Sequence, residues 1–86
     1  PTHLAIALKY DEERHAAPII LAKGADYLAQ KIRKTARKYD IPLIENKPLA
    51  KALYQKGEVG MEIPIELYQA VAEVLAVVYQ MEGKTL

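Results

Sequence analysis

Eighty-six residues give room for one hydrophobic core, because independent domains usually run to about 100–150 residues and shorter chains bury proportionally less surface; a second domain is excluded. A hydrophobic fraction of 51% with 27% charged residues excludes a disordered chain, and twelve Lys and Arg against eleven Asp and Glu, +1 in all, exclude a protein whose main task is to coat phosphate backbone or an anionic membrane. Cysteine is absent, which removes disulfides, thiolate metal sites and cysteine nucleophiles, and all six aromatic residues are Tyr, so the core must be aliphatic.

Near the start, Leu4, Ile6, Leu8 and Tyr10 alternate with Ala5, Ala7 and Lys9. That two-residue period predicts a strand over residues 4–10, and alanines on its second face predict a closely covered, central position. A charged break from Tyr10 to His15 follows. The continuous apolar run from Pro18 to Ala22 then predicts a second, fully buried strand that ends at Lys23-Gly24. From Ala25 to Tyr39 the period is helical, with Leu28, Ala29, Ile32, Ala36 and Tyr39 on one stripe and Lys31, Lys34 and Lys38 opposite. Asp26 in the first turn and Arg37 with Lys38 in the last suit the helix dipole. Residues 41–45 predict a third strand, parallel to the second because a crossover helix lies between them.

Pro48 suits the first position of a short helix reaching Lys56, with Gly57 as its stop and Leu49, Ala52 and Leu53 facing inward. After a turn from Gly57 to Gly60, Pro64 opens a last helix to about Met81. Its polar stripe is narrow (Glu66, Gln69, Glu73, Gln80), and the apolar residues Leu67, Tyr68, Val71, Ala72, Val74, Leu75, Val78 and Tyr79 cover half the circumference. Such a face reads either as core alone or as core plus a docking surface. Residues 83–86 read as a free tail. The apolar stretch from Leu67 to Tyr79 is too short for a membrane span of about 20 residues, and no signal peptide is expected. The chain begins at Pro1 rather than Met, as a trimmed or cleaved product would.

Catalytic groupings are sparse. His3 and His15 are the only histidines and have no second ligand at metal spacing, there is no serine, and the lone Gly-x-x-Gly opens no helix, so no metal, cofactor or turnover chemistry is expected. Glu12-Glu13 reads as a solvated loop rather than an acid/base pair. The basic face of the first helix, Lys31, Arg33, Lys34, Arg37 and Lys38 with Lys23 nearby, reads as a solvated face; a small nucleic-acid-binding protein using residues 31–38 is the rival from another class.

Pro1-Thr2-His3, followed by the Leu-Ala-Ile-Ala-Leu strand, resembles the downstream half of an Asn-Pro-Thr-His cleavage signature, that of the type III export-apparatus switch proteins (FlhB/YscU family). The likeness continues through residues 7–12, Ala17-Pro18, residues 22–25, Ile41-Pro42, residues 48–50, 52–54 and Ile63-Pro64 to Leu75. The flagellar branch fits better than the injectisome branch.

The resemblance implies a polytopic inner-membrane protein whose cytoplasmic domain cuts itself once between Asn and Pro through a succinimide. Proline suits that position because it restrains the preceding residue and has no amide hydrogen. Pro1, Thr2 and His3 would be the surviving half of the cleavage site. The implied fold is α/β, a small mixed sheet surrounded by helices, with one strand supplied by the upstream fragment beside residues 4–10. The implied task is to bind export cargo and to switch from rod/hook to filament-class substrates. Implied partners are the upstream fragment, export cargo, a hook-length ruler protein and other export-gate components, with no nucleic acid, at the cytoplasmic face of the bacterial inner membrane. A cargo-binding patch would map to Ala17, Pro18, Ala72 and Leu75, which moves the last helix toward core plus docking surface. A stand-alone, membrane-free paralogue of the same domain remains the alternative within the family.

Overall fold

The computed structural model describes residues 3–11, 13–45 and 47–81, and side chains within these apart from those of 47 and 77–81. The expected free tail therefore lies outside the described residues, as do Pro1, Thr2 and Glu12. Three strands, β1 (Leu4–Lys9), β2 (Ile19–Ala25) and β3 (Leu43–Ile44), form one sheet in the order β2-β1-β3. Helix α1 (Asp26–Lys38) follows β2, α2 (Lys47–Lys56) follows β3, and a 3-10 turn at Ile65–Leu67 leads into α3 (Tyr68–Met81). The expected α/β class, a small sheet surrounded by helices, is what the chain adopts, but the described strands pair antiparallel throughout rather than as a mixed sheet.

The alternation in β1 divides the molecule into layers. Ile6 and Leu8 join Ile20, Ile44, Leu53, Val71 and Leu75 in the larger buried cluster, under α2 and α3. Ala5 and Ala7 meet Ala29 and Ile32 of α1 in the smaller one. Alanines are required there because a helix sits directly on that face, and both faces of β1 are covered, as its pattern predicts. Each of the wholly buried Ile and Leu side chains contributes about 1.5–3 kcal/mol by leaving water, so Ile6, Leu8, Ile20, Ile44 and Leu53 are the main anchors.

Several expectations need correction. β2 does not stop at Lys23-Gly24 but runs through them to Ala25, pairing Ile6 with Lys23 and Ala5 with Gly24. Gly24 serves close approach rather than a turn: a Cβ there would lie 2.6 Å from Leu28 Cγ and 2.9 Å from Ile32 Cδ1. Nor is β2 fully buried. The register shifts so that Leu8 faces Ile20 while Ala7 faces Ala22, and Leu21, the extra residue, is left exposed.

β3 is shorter than residues 41–45 and pairs antiparallel with β1, not with β2. It still runs parallel to β2, because both are antiparallel to the strand between them. With β2 on one side and β3 on the other, β1 has no free neighbouring position along Ile6 and Ala7. β3 occupies the position beside Ile6 and Ala7, so an upstream strand beside residues 4–10, as the resemblance implied, would have to join away from those two residues. The α1 stripe holds for Ala29, Ile32 and Ala36, whereas Leu28 and Tyr39 are exposed. In α2, Leu49 and Leu53 are buried as expected, whereas Ala52, also expected to face inward, is only half-buried and Ala50 is fully buried.

Helix ends follow local chemistry. Asp40 takes a left-handed φ of 54°, and Ile41 N–H bonds to Ala36 O at 2.8 Å, the long six-to-one bond of a Schellman-type end with Asp in the position glycine usually fills. At the end of α2, Lys23 Nζ donates to Tyr54 O and Gly57 O at 3.0 and 2.8 Å, satisfying carbonyls that the helix leaves open.

Candidate functional site

The amino-terminal end is fixed at His3. Leu4 opposite Ala25 is the last regular pair of the β1–β2 ladder. One residue further, Asp26 N–H donates to His3 O at 2.7 Å, and His3 N–H donates to Asp26 Oδ1 at 3.1 Å. Asp26 has turned into α1 with φ 50°, so its carboxylate stands in for the ladder acceptor that the helix start removes. The His3 side chain is exposed between two shallow cavities. The larger, of about 630 Å³, is lined by Leu4, Arg33, Glu45, Lys51 and Tyr54 among others; the smaller, of about 330 Å³, by Asp26, Tyr27, Gln30 and Arg33.

The four residues expected to form a docking patch divide by burial. Ala17 and Leu75 are both buried, at 3% and 5% exposure, and belong to the same cluster with Ile63 and Val71. Pro18 is half-buried, and Ala72 is exposed. Pro18 O accepts from Ile63 N–H at 2.9 Å, Ile20 N–H donates to Met61 O, and Gly60 N–H donates to Ile20 O. Residues 60–63 thus add to the outer side of β2 like a very short strand. Met61, at 59% exposure, and Ile65, at 77%, carry apolar surface on or next to this segment. Neither was a candidate, since too few residues separate Gly60 from Pro64 to show any period. Side chains of Val78 and Tyr79, counted in the wide apolar face of the last helix, lie outside those described.

The basic face of α1 is partly engaged. Lys31 and Lys38 lie over the rings of Tyr27 and Tyr39 at 5.0 and 5.5 Å, and Arg33 pairs with Glu45. Lys23 points instead to the α2 carbonyls and lies over Tyr54. Among the described residues no group of three or more His, Asp or Glu stands close enough to hold a metal. Tyr68 has its pKa raised, by burial first and then by the charge and hydrogen bond of Glu62. No helix among the described residues is long and apolar enough to cross a membrane.

A family model described as the FlhB HrpN YscU SpaS family matches residues 1–78. The flagellar biosynthetic protein FlhB of Bacillus subtilis is 54% identical over 84 residues, 98% of this chain and 23% of that protein. Its counterpart in Salmonella typhimurium is 49% identical over 82 residues, 95% of this chain and 21% of that protein. The chain thus spans less than a quarter of the length of these relatives. The cytoplasmic domain of FlhB from Shewanella putrefaciens superposes with a TM-score of 0.81 at 49% identity, over 91% of this chain and 65% of that one. The C-terminal domain of PscU also gives 0.81, at 40% identity, over 91% of this chain and 99% of that domain.

Proposed function

The chain belongs to the FlhB HrpN YscU SpaS family, and from that premise we propose that it is the cytoplasmic module of a flagellar export switch protein, which receives export cargo and changes from rod/hook to filament-class substrates. The parent protein cuts its own chain once, before Pro1, and has no turnover activity. It works at the cytoplasmic face of the bacterial inner membrane, with the upstream fragment, cargo, the hook-length ruler protein and other export-gate components as partners.

The observation that carries the docking part is the division of the four candidate residues. Ala17 and Leu75 sit in one buried cluster although remote in sequence, and Pro18 and Ala72 flank them with accessible apolar surface. The small, exposed side chain of Ala72 leaves room for an apolar partner side chain to lie against the helix beside this cluster. Met61 and Ile65 extend the apolar surface next to the segment that pairs with Pro18. Export segments that are disordered before binding lose ordering entropy on docking, so a weak, readily reversed contact is expected.

The test replaces the matching part of Bacillus subtilis FlhB with this chain. Restored hook and filament assembly is the expected outcome. A hybrid that accumulates in the membrane at the native level but supports neither would overturn the assignment.

A further inference from the structure

We propose that Asp26 is a positioning residue for the self-cleavage, holding the main chain at His3 through its carboxylate so that the segment between His3 and the cut bond is anchored at one fixed point. The proposal rests on the reading that the bond before Pro1 is cut.

In that reaction the side-chain amide nitrogen of the residue before Pro1, an asparagine, bonds to its own carbonyl carbon and closes a succinimide. The bond from that carbon to the Pro1 nitrogen breaks, and the proton lost by the amide ends on the leaving proline nitrogen. No side chain of this segment enters the bonds made or broken. What the segment can contribute is restraint on the leaving limb, since an intramolecular attack depends on the fraction of time spent in the reactive geometry. A misplacement of about 1 Å can slow such a step on the order of a hundredfold.

His3 is held at both of its main-chain groups, by one residue. Its carbonyl accepts from Asp26 N–H at 2.7 Å, and its N–H, the group on the side toward Pro1, donates to Asp26 Oδ1 at 3.1 Å. The backbone of Asp26 alone does not account for an aspartate here. At φ 50° glycine would sit with less strain and would supply the same N–H to His3 O. The carboxylate adds an acceptor for His3 N–H, which the neighbouring strand no longer offers once α1 has begun. A second reading, in which Asp26 serves only the α1 dipole, requires its charge rather than its acceptor.

The experiment follows cell-free synthesis of the full-length protein and times the conversion of uncut chain into two fragments, for the native sequence, Asp26→Ala, Asp26→Gly and Asp26→Asn; melting curves are recorded for each. Cleavage is expected to slow about tenfold or more in the Ala and Gly variants, a barrier change of about 1.4 kcal/mol or more. Asn, which tolerates left-handed backbone and accepts through Oδ1, is expected to restore most of the rate. The Gly variant, relieved of strain, should melt close to the native protein while cleaving slowly. Native-rate cleavage in both Ala and Gly variants overturns the role of Asp26. So does an Asn variant as slow as Ala, or a Gly variant whose melting falls as far as that of Ala. A native chain that stays whole overturns the cleavage reading itself, and the proposal with it. Should the Ala variant fail to fold, Gly and Asn decide the matter.

Discussion

Ala72 and Leu75, three residues apart on α3, provide a test that separates docking from folding. Leu75 is buried at 5% exposure among Ala17, Ile63 and Val71, so Leu75→Ala removes packed methyl groups and leaves a cavity that costs about 3 kcal/mol. For a domain of this size that lowers the melting temperature by roughly 10–20 °C. Ala72 is exposed, and Glu is nearly as good a helix former as Ala, so Ala72→Glu should change stability by no more than about 0.5 kcal/mol. Its effect falls on the complex. A carboxylate pressed without a partner into an apolar contact costs on the order of 3 kcal/mol, about a hundredfold in Kd. Fluorescence polarisation with labelled rod- or hook-class export segments gives the binding curve, and thermal unfolding followed by circular dichroism gives stability. The expected result is lost binding with an unchanged melt for Ala72→Glu, and a lowered melt for Leu75→Ala. Undiminished binding by Ala72→Glu would remove α3 from recognition, and a collapse of its melting curve would show that Ala72 is part of the core.

Four further outcomes follow from particular contacts. Gly57→Ala places a Cβ 2.2 Å from Ile20 Cδ1 and 2.7 Å from the Leu53 carbonyl oxygen; the backbone oxygen cannot easily move, so a loss of about 1–3 kcal/mol in chemical denaturation is expected. Asp40→Gly relieves a left-handed residue at an exposed helix end and should raise the melting midpoint, by about 0.5–1 kcal/mol in stability. Lys23→Met keeps the side-chain stem but removes the ammonium that donates to Tyr54 O and Gly57 O at the end of α2, with a loss of about 1–2 kcal/mol and faster hydrogen exchange there. The raised pKa of Tyr68, from burial and then Glu62, means that its neutral form is favoured in the folded state. Its contribution is complete below the unfolded Tyr value of about 10 and fades as pH rises through the folded value; Tyr68→Phe should remove that part of the alkaline loss in melts compared across this range.

Elements governed by local chemistry were legible before any tertiary structure. The alternation of Leu4, Ile6 and Leu8 with Ala5 and Ala7 determined a strand covered on both faces, because side chains on a pleated backbone must point alternately. The span of α1, the stop at Gly57 and the direction of β3 relative to β2 followed from periodicity, capping and the crossover rule. The residues that carry the family likeness were likewise in plain view. Only tertiary structure decided that β3 takes the place beside β1, since which strand occupies an edge depends on pairing across a loop and a helix that local pattern does not encode. It alone showed that Lys23-Gly24 continues a strand: glycine signals a turn in isolation, but here the missing Cβ admits Leu28 and Ile32. The clamp of Asp26 on His3 joins residues 23 positions apart and became visible only with the fold, because a first-turn aspartate has an ordinary local explanation in the helix dipole. The division of the candidate patch into buried Ala17 and Leu75 and accessible Pro18 and Ala72 likewise depends on which side of α3 meets the sheet, a matter of packing rather than of period.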